Sequence, residues 1–144
     1  MKRIVKFGIY SGIAMWIALF IGGAIFAKIF YGPEMAPKGK FNESQMNAFY
    51  FIRTKLVIGI FFGILFTAVC EALSFSKKMI GALQGLKYSI FFWLIISLWN
   101  ISHPLVYESI NYTHQMFWLF YTLAGFLGFG STLGFLNKKS ALKT

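Results

Sequence analysis

Four stretches of this chain, Phe7 to Ala27, Leu56 to Cys70, Tyr88 to Ser102 and Gln115 to Asn137, run without a charged side chain. Few features constrain a fold more. About 20 apolar residues at 1.5 Å each cross a hydrocarbon core of about 30 Å as a helix, whereas a helix on a soluble protein keeps one polar face. The last stretch offers only Gln115, Thr122, Ser131, Thr132 and Asn137, which make no such face. Of the 144 residues, 58% are hydrophobic and only 12% charged, against about 25% charged in a soluble domain. A water-soluble bundle of this size has too little interior to hide that much apolar surface. The expected fold is an all-α integral membrane protein, a single domain over residues 1–144. It has four transmembrane helices, over about 5–30, 51–75, 80–102 and 114–137, in an antiparallel bundle.

Charge gives the orientation. Lys2, Arg3 and Lys6 precede the first apolar run as in a secretory signal, yet the run is longer than a signal's apolar core of about 7–15 residues. The small-residue site Gly22-Gly23-Ala24 is also a poor cleavage pattern, so the segment reads as a retained helix. With the N-terminus in the cytoplasm, the inner side holds Lys2, Arg3, Lys6, Lys77, Lys78, Lys87, Lys138, Lys139 and Lys143. The outer side holds Lys28, Lys38, Lys40, Arg53 and Lys55. Nine cations against five follow the positive-inside rule, which places both termini in the cytoplasm, and the short basic start and compact loops point to a bacterial inner membrane. The formal charge of +10 thus lies at helix ends facing lipid headgroups, and no nucleic-acid partner is expected. The single cysteine, Cys70, excludes an internal disulfide.

The connections predict a long outer loop near 31–50, a tight inner turn at Ser76 to Met79, and an outer loop from His103 to His114, with Pro104 ending the third helix. Such short connections make sequential helices antiparallel neighbours. Tyr10-Ser11 with Trp16, and Tyr88-Ser89 with Trp93, hint at a duplicated hairpin, although a chain that is 20% aromatic produces such matches by chance. Glycine spacing is more regular. Gly8 and Gly12, Gly59 and Gly63, Gly81 and Gly85, and Gly130 and Gly134 put one Gly-x-x-x-Gly pair on every predicted helix. Each pair opens one helix face to close backbone approach, a device for helix association where lipid supplies no hydrophobic drive. Three of the four lie near the inner ends, which predicts a bundle tight there and more open outside.

Polar residues inside or beside the apolar runs are the candidate sites. Only 15 uncharged residues separate Lys55 from Glu71, too few to cross the core, so a charge lies within its edge, snorkels or finds a partner. Folding the second and third helices back about the Lys77-Lys78 turn brings Glu71 within one helical turn of Lys87, which predicts an intramembrane ion pair. His103, Glu108 and His114 form a weaker, metal-type cluster whose spacing matches no helical ligand pair. Tyr31, Tyr50, Tyr107, Tyr112 and Trp118 read as an outer aromatic belt, and Trp16 and Trp93 as packing residues near the midplane.

No activated nucleophile, phosphate loop or carboxylate pair is visible, so neither enzymatic activity nor a cofactor is expected. The sequence reads as a small multi-pass membrane protein that acts through helix–helix assembly, with itself or with a larger membrane complex. The alternative is a small transporter or channel subunit using Glu71 and Lys87.

Overall fold

The computed structural model describes residues 1–32, 48–106 and 112–142, with the side chains of 48–51 and 99–106 excepted. Its elements are four helices, α1 (Lys2–Tyr31), α2 (Ala48–Ala72), α3 (Ala82–Val106) and α4 (Tyr112–Ala141), with a single 3-10 turn, Phe75–Lys77, between α2 and α3. Residues 33–47 of the long outer loop, and residues 107–111 of the His103–His114 connection with Glu108 among them, lie outside the described residues. By length and composition α1, the Ile52–Ala72 part of α2, and α4 are each able to cross a membrane, while the apolar part of α3, Ala82–Leu98, is shorter.

Local chemistry sets the boundaries. Gly32, at φ 78, ends α1 and returns its N–H to the Lys28 carbonyl at 3.1 Å. The second helix stops at Ala72, three residues earlier than expected, because Ser74 turns left-handed (φ 56, ψ 17) and gives its N–H to Glu71 O at 3.0 Å. Gly81, at φ +97, starts the return, where a side chain would be strained. Pro104 does not end α3 at His103, since the helix runs on to Val106 with Pro104 in its last turn.

Extensive packing joins α1 to α2, α1 to α4, and α4 to α3, so the helices follow one another around the bundle as α2, α1, α4, α3. Among the described residues α2 and α3 share no interface of comparable extent, although the shortest connection joins them. They are not the antiparallel neighbours that a short connection predicts. The 3-10 turn spans the gap, and its Phe75 ring meets Tyr88 at 5.1 Å and Phe92 at 5.8 Å between centroids.

All four glycine pairs lie at helix contacts within the chain. A Cβ on Gly12 would stand 2.5 Å from the Gly59 carbonyl oxygen, one on Gly8 would stand 2.5 Å from Ile64 Cα, and one on Gly63 would run into the Gly8 and Gly12 backbone. In the other hairpin Gly85 meets Gly130 and Gly134, and Gly134 meets Gly81, whose N–H donates to Gly134 O at 2.8 Å across the helices. Such approaches bring backbone against backbone, where even one methyl has no room. A core of Met15, Cys70, Met79, Phe92, Phe126, Phe129 and Leu133 fills the centre.

The two hairpins use the same register. Gly12 faces Gly59 and Gly63 as Gly85 faces Gly130 and Gly134, and one turn further along, Trp16 covers Gly59 as Ser89 covers Gly130. The repeat is therefore carried by glycines. The Tyr-Ser matches fall elsewhere, for in this register Ser89 answers to Trp16 and not to Ser11. On the partner helices, four residues before Gly59 and Gly130, Lys55 answers to Phe126.

Candidate functional site

Three polar groupings lie along the bundle axis. At the end carrying Met1 and Lys138, here the basic end, Arg3, Glu71, Ser76 and Asn137 close a ring that ties α1, α2, the 3-10 turn and α4. Arg3 Nη2 donates to Asn137 Oδ1 at 3.0 Å and lies 3.8 Å from Glu71 Oε1, while Ser76 Oγ donates to Glu71 Oε2 at 2.7 Å. Asn137 Nδ2 in turn donates to the Ser76 and Met79 carbonyls at 3.1 and 3.3 Å. The guanidinium also sits over Phe7, 5.3 Å from the ring centroid. Glu71 is thus brought to Arg3 and Ser76, and not to Lys87, which lies exposed on α3. The physical reason is the missing α2–α3 interface: the start of α1 occupies the position that folding back would give to α3.

Asn137 is the member of this ring that sequence reasoning passed over. It is 3% exposed and follows a long uncharged run, but nothing in the sequence shows that its amide meets a turn some sixty residues away. The Arg3–Glu71 pair is half open, so its contribution is about 0–1 kcal/mol. Removing Asn137 leaves buried carbonyls unpaired, which costs about 1–3 kcal/mol.

At the opposite end His114 is held from both sides. Trp118 Nε1 donates to His114 Nε2 at 2.7 Å, and Tyr31 Oη lies 2.8 Å from His114 Nδ1. An indole N–H only donates, so Nε2 carries the lone pair, and a neutral ring then has its proton on Nδ1, donated to Tyr31. His114 is engaged by aromatic side chains. Glu108 and the His103 side chain fall outside the described residues, among which no group of three His, Cys, Asp or Glu side chains is arranged to hold a metal.

Between these ends, α1, α2 and α4 line a partly open cavity of about 200 Å³. Its walls include Trp16, Phe20, Ile52, Phe62 and Phe126, and its polar lining is Lys55, Tyr121 and Thr122. Phe66 packs on Phe126, one of the lining residues, and on Phe129 at 5.1 and 5.8 Å between centroids. The helix register gives its depth. Gly59 lies between Gly12 and Trp16, and Lys55 is one turn nearer the His114 end, level with about residue 18 of α1. That is the middle of the uncharged run Phe7 to Ala27, about 15 Å along the axis from Lys28 and farther than a lysine side chain reaches. Packing of Leu19 on Gly125 and of Gly23 on Tyr121 fixes the same level from the α4 side.

The lining is rich in donors. Lysine and indole groups donate and do not accept. Thr122 Oγ1 is already engaged, bonding to the Trp118 and Leu119 carbonyls and accepting from Trp93 Nε1 at 3.3 Å. The two midplane tryptophans therefore differ. Trp93 is satisfied by Leu119 O at 3.1 Å, whereas the Trp16 N–H and the Tyr121 hydroxyl have no hydrogen-bond partner among the described residues. The sequence sets Lys55 at the edge of an apolar run, where snorkelling is expected; the register sets it level with the middle of the uncharged run of α1.

Compared with known proteins, the chain matches no family, no curated protein and no solved structure.

Proposed function

We propose that this chain is a small multi-pass protein of a bacterial cytoplasmic membrane, with four spans and both termini in the cytoplasm, that works by noncovalent binding inside the bilayer rather than by catalysis. The observation that carries the reading is Lys55 in its cavity. An ammonium at the centre of a membrane helix costs about 2.5–3.5 kcal/mol on insertion scales, and ionisable residues at that depth mark ligand or ion paths. The orientation is supported by Lys2, Arg3, Lys6, Lys77, Lys78, Lys138 and Lys139, which cluster at the basic end. A binding cavity at half depth suits a small transporter or channel subunit, with Lys55 in the role that the sequence suggested for Glu71 and Lys87.

Assembly with a second copy or a larger membrane complex is the second reading. It is favoured by the absence of an extensive α2–α3 interface, which leaves both helices with apolar faces for a partner. The glycine pairs no longer argue for a homodimer, because each is engaged inside the chain.

Native mass spectrometry of the full chain released from its own membrane separates the two readings. The binding reading expects a monomer carrying a small molecule, retained in Glu71→Gln and lost in Lys55→Leu. A second copy or a protein partner with no small molecule would overturn it in favour of assembly.

A further inference from the structure

We infer that the cleft between the start of α1 and the end of α4, at the basic end, holds the head of an anionic phospholipid, with its phosphate between Lys6 and Lys139. The inference rests on the chain spanning a membrane and not on the Lys55 cavity.

Placement is the first argument. Lys6, Phe7, Tyr10, Leu136, Lys139 and Ser140 line a cleft of about 360 Å³. The contacts of Leu19 with Gly125 and of Ala18 with Gly128 set α1 antiparallel to α4, which brings residue 6 level with about residue 139. Lys6 is the last cation before the uncharged run Phe7 to Ala27, and Lys138 and Lys139 follow directly on the run that ends at Asn137. Lys6 and Lys139 therefore stand at the edge of the hydrocarbon, at the level of lipid phosphate, with Phe7 and Leu136 just inside it. Tyr10, half exposed, lies about one turn deeper, where an interfacial tyrosine keeps its hydroxyl towards the headgroups.

Charge is the second argument. The cleft brings together two ammonium groups and the hydroxyls of Tyr10 and Ser140, none of which has a hydrogen-bond or ion-pair partner among the described residues. Glu71, the one carboxylate side chain among those residues, is taken up by Arg3 and Ser76. A phosphate diester brings one negative charge and only acceptor oxygens, and lysine binds phosphate as a point charge. A zwitterionic head would add its own cation beside two lysines, whereas a phosphoglycerol head adds none.

Size is the third argument. At about 30 Å³ for each water-sized atom, a phosphoglycerol head of about ten heavy atoms needs about 300 Å³, which the cleft provides. An adjoining groove on α1 shares Lys6 and Tyr10 with the cleft and continues over Val5 and Ile9, an apolar wall for an acyl chain. Lys138 is the natural contrast. It adjoins Lys139 in sequence, but its stem lies towards Gly81 and it does not line the cleft.

The test is native mass spectrometry of the full chain, purified from membranes in detergent and titrated with phosphatidylglycerol. One lipid per chain is expected to bind saturably, at least about tenfold more tightly than phosphatidylcholine with the same acyl chains. Lys6→Gln and Lys139→Gln are each expected to raise the Kd about fivefold, the worth of one lysine beside an anionic headgroup, and the double variant about twenty-fivefold. Lys6→Arg, which keeps the charge, stays within about threefold of wild type. Lys138→Gln and Lys55→Leu stay within about twofold, because neither residue lines the cleft. Equal affinity for the two lipids, or no bound phosphatidylglycerol, overturns the proposal. So does a Lys138→Gln loss as large as that of Lys6→Gln, which would mean a diffuse basic surface, and a loss in Lys55→Leu, which would put the lipid in the other cavity. Displacement by an equal concentration of glycerol 1-phosphate overturns the lipid in favour of a soluble phosphate compound. A chain that fractionates away from the membrane overturns the membrane reading as well, and shows this before any lipid is added. Helicity by circular dichroism, and the behaviour of Lys6→Arg, separate lost binding from a failure to fold.

Discussion

The hairpin of α1 and α2 and the hairpin of α3 and α4 are built on one register and put to different uses. Both close at the basic end through a pair of glycine pairs, so that backbone meets backbone without side chains between. One turn further along they diverge. The α3–α4 hairpin has Ser89 opposite Gly130 and then Phe126, which is 3% exposed and completes the core. The α1–α2 hairpin has Trp16 opposite Gly59 and then Lys55, which faces a cavity. A single framework thus holds an apolar plug in one copy and a charge in the other. Packing alone explains the plug. An ionisable side chain within a membrane segment is a functional candidate by default.

The sharpest way to break this comparison is to change the two equivalent positions. Phe126→Ala is expected to destabilise the protein by about 3–5 kcal/mol, the usual cost of emptying a buried aromatic site. Lys55→Leu is expected to act in the opposite direction, stabilising it by at most about 2.5–3.5 kcal/mol. Reversible unfolding in micelles measures both, and a destabilised Lys55→Leu would mean that the lysine is structural. Next in size, Gly63→Ala and Gly85→Ala are each expected to cost about 1–3 kcal/mol through overpacking against a facing backbone. If the hairpins share one framework, their losses agree within about 1 kcal/mol. The smallest effects concern the ring at the basic end. Asn137→Ala is expected to lower the midpoint of thermal unfolding clearly, in line with a loss of about 1–3 kcal/mol, and Glu71→Gln to shift it by less than the equivalent of 1 kcal/mol. A reversed order would make Glu71 the keystone of that ring.

Much of this fold is legible in the sequence, since uncharged runs of membrane length, cations at their ends and four-residue glycine spacing each carry a direct physical meaning. Which glycine pair meets which is not legible, because spacing marks a face and says nothing of its partner. The Glu71–Lys87 expectation went astray for the same kind of reason. It took α2 and α3 to be neighbours across their short turn, whereas the start of α1 brings Arg3 to Glu71. Asn137 belongs to contacts that join distant parts of the chain, and local sequence does not show those. The depth of Lys55 was hidden more subtly. In sequence it stands at the edge of an apolar run and invites snorkelling, and only the stagger of α2 against α1 carries it inward.

The depth of residue 55 is therefore the measurement that bears most directly on this account. A nitroxide on Lys55→Cys, in a Cys70→Ala background and in bilayers, reports depth through the balance of its collisions with oxygen and with a water-soluble nickel complex. The expected depth matches that of a label on Ile17→Cys and lies about 15 Å deeper than a label on Lys28→Cys. A depth equal to that at residue 28 would contradict the account, returning Lys55 to the interface and removing the charge from the cavity.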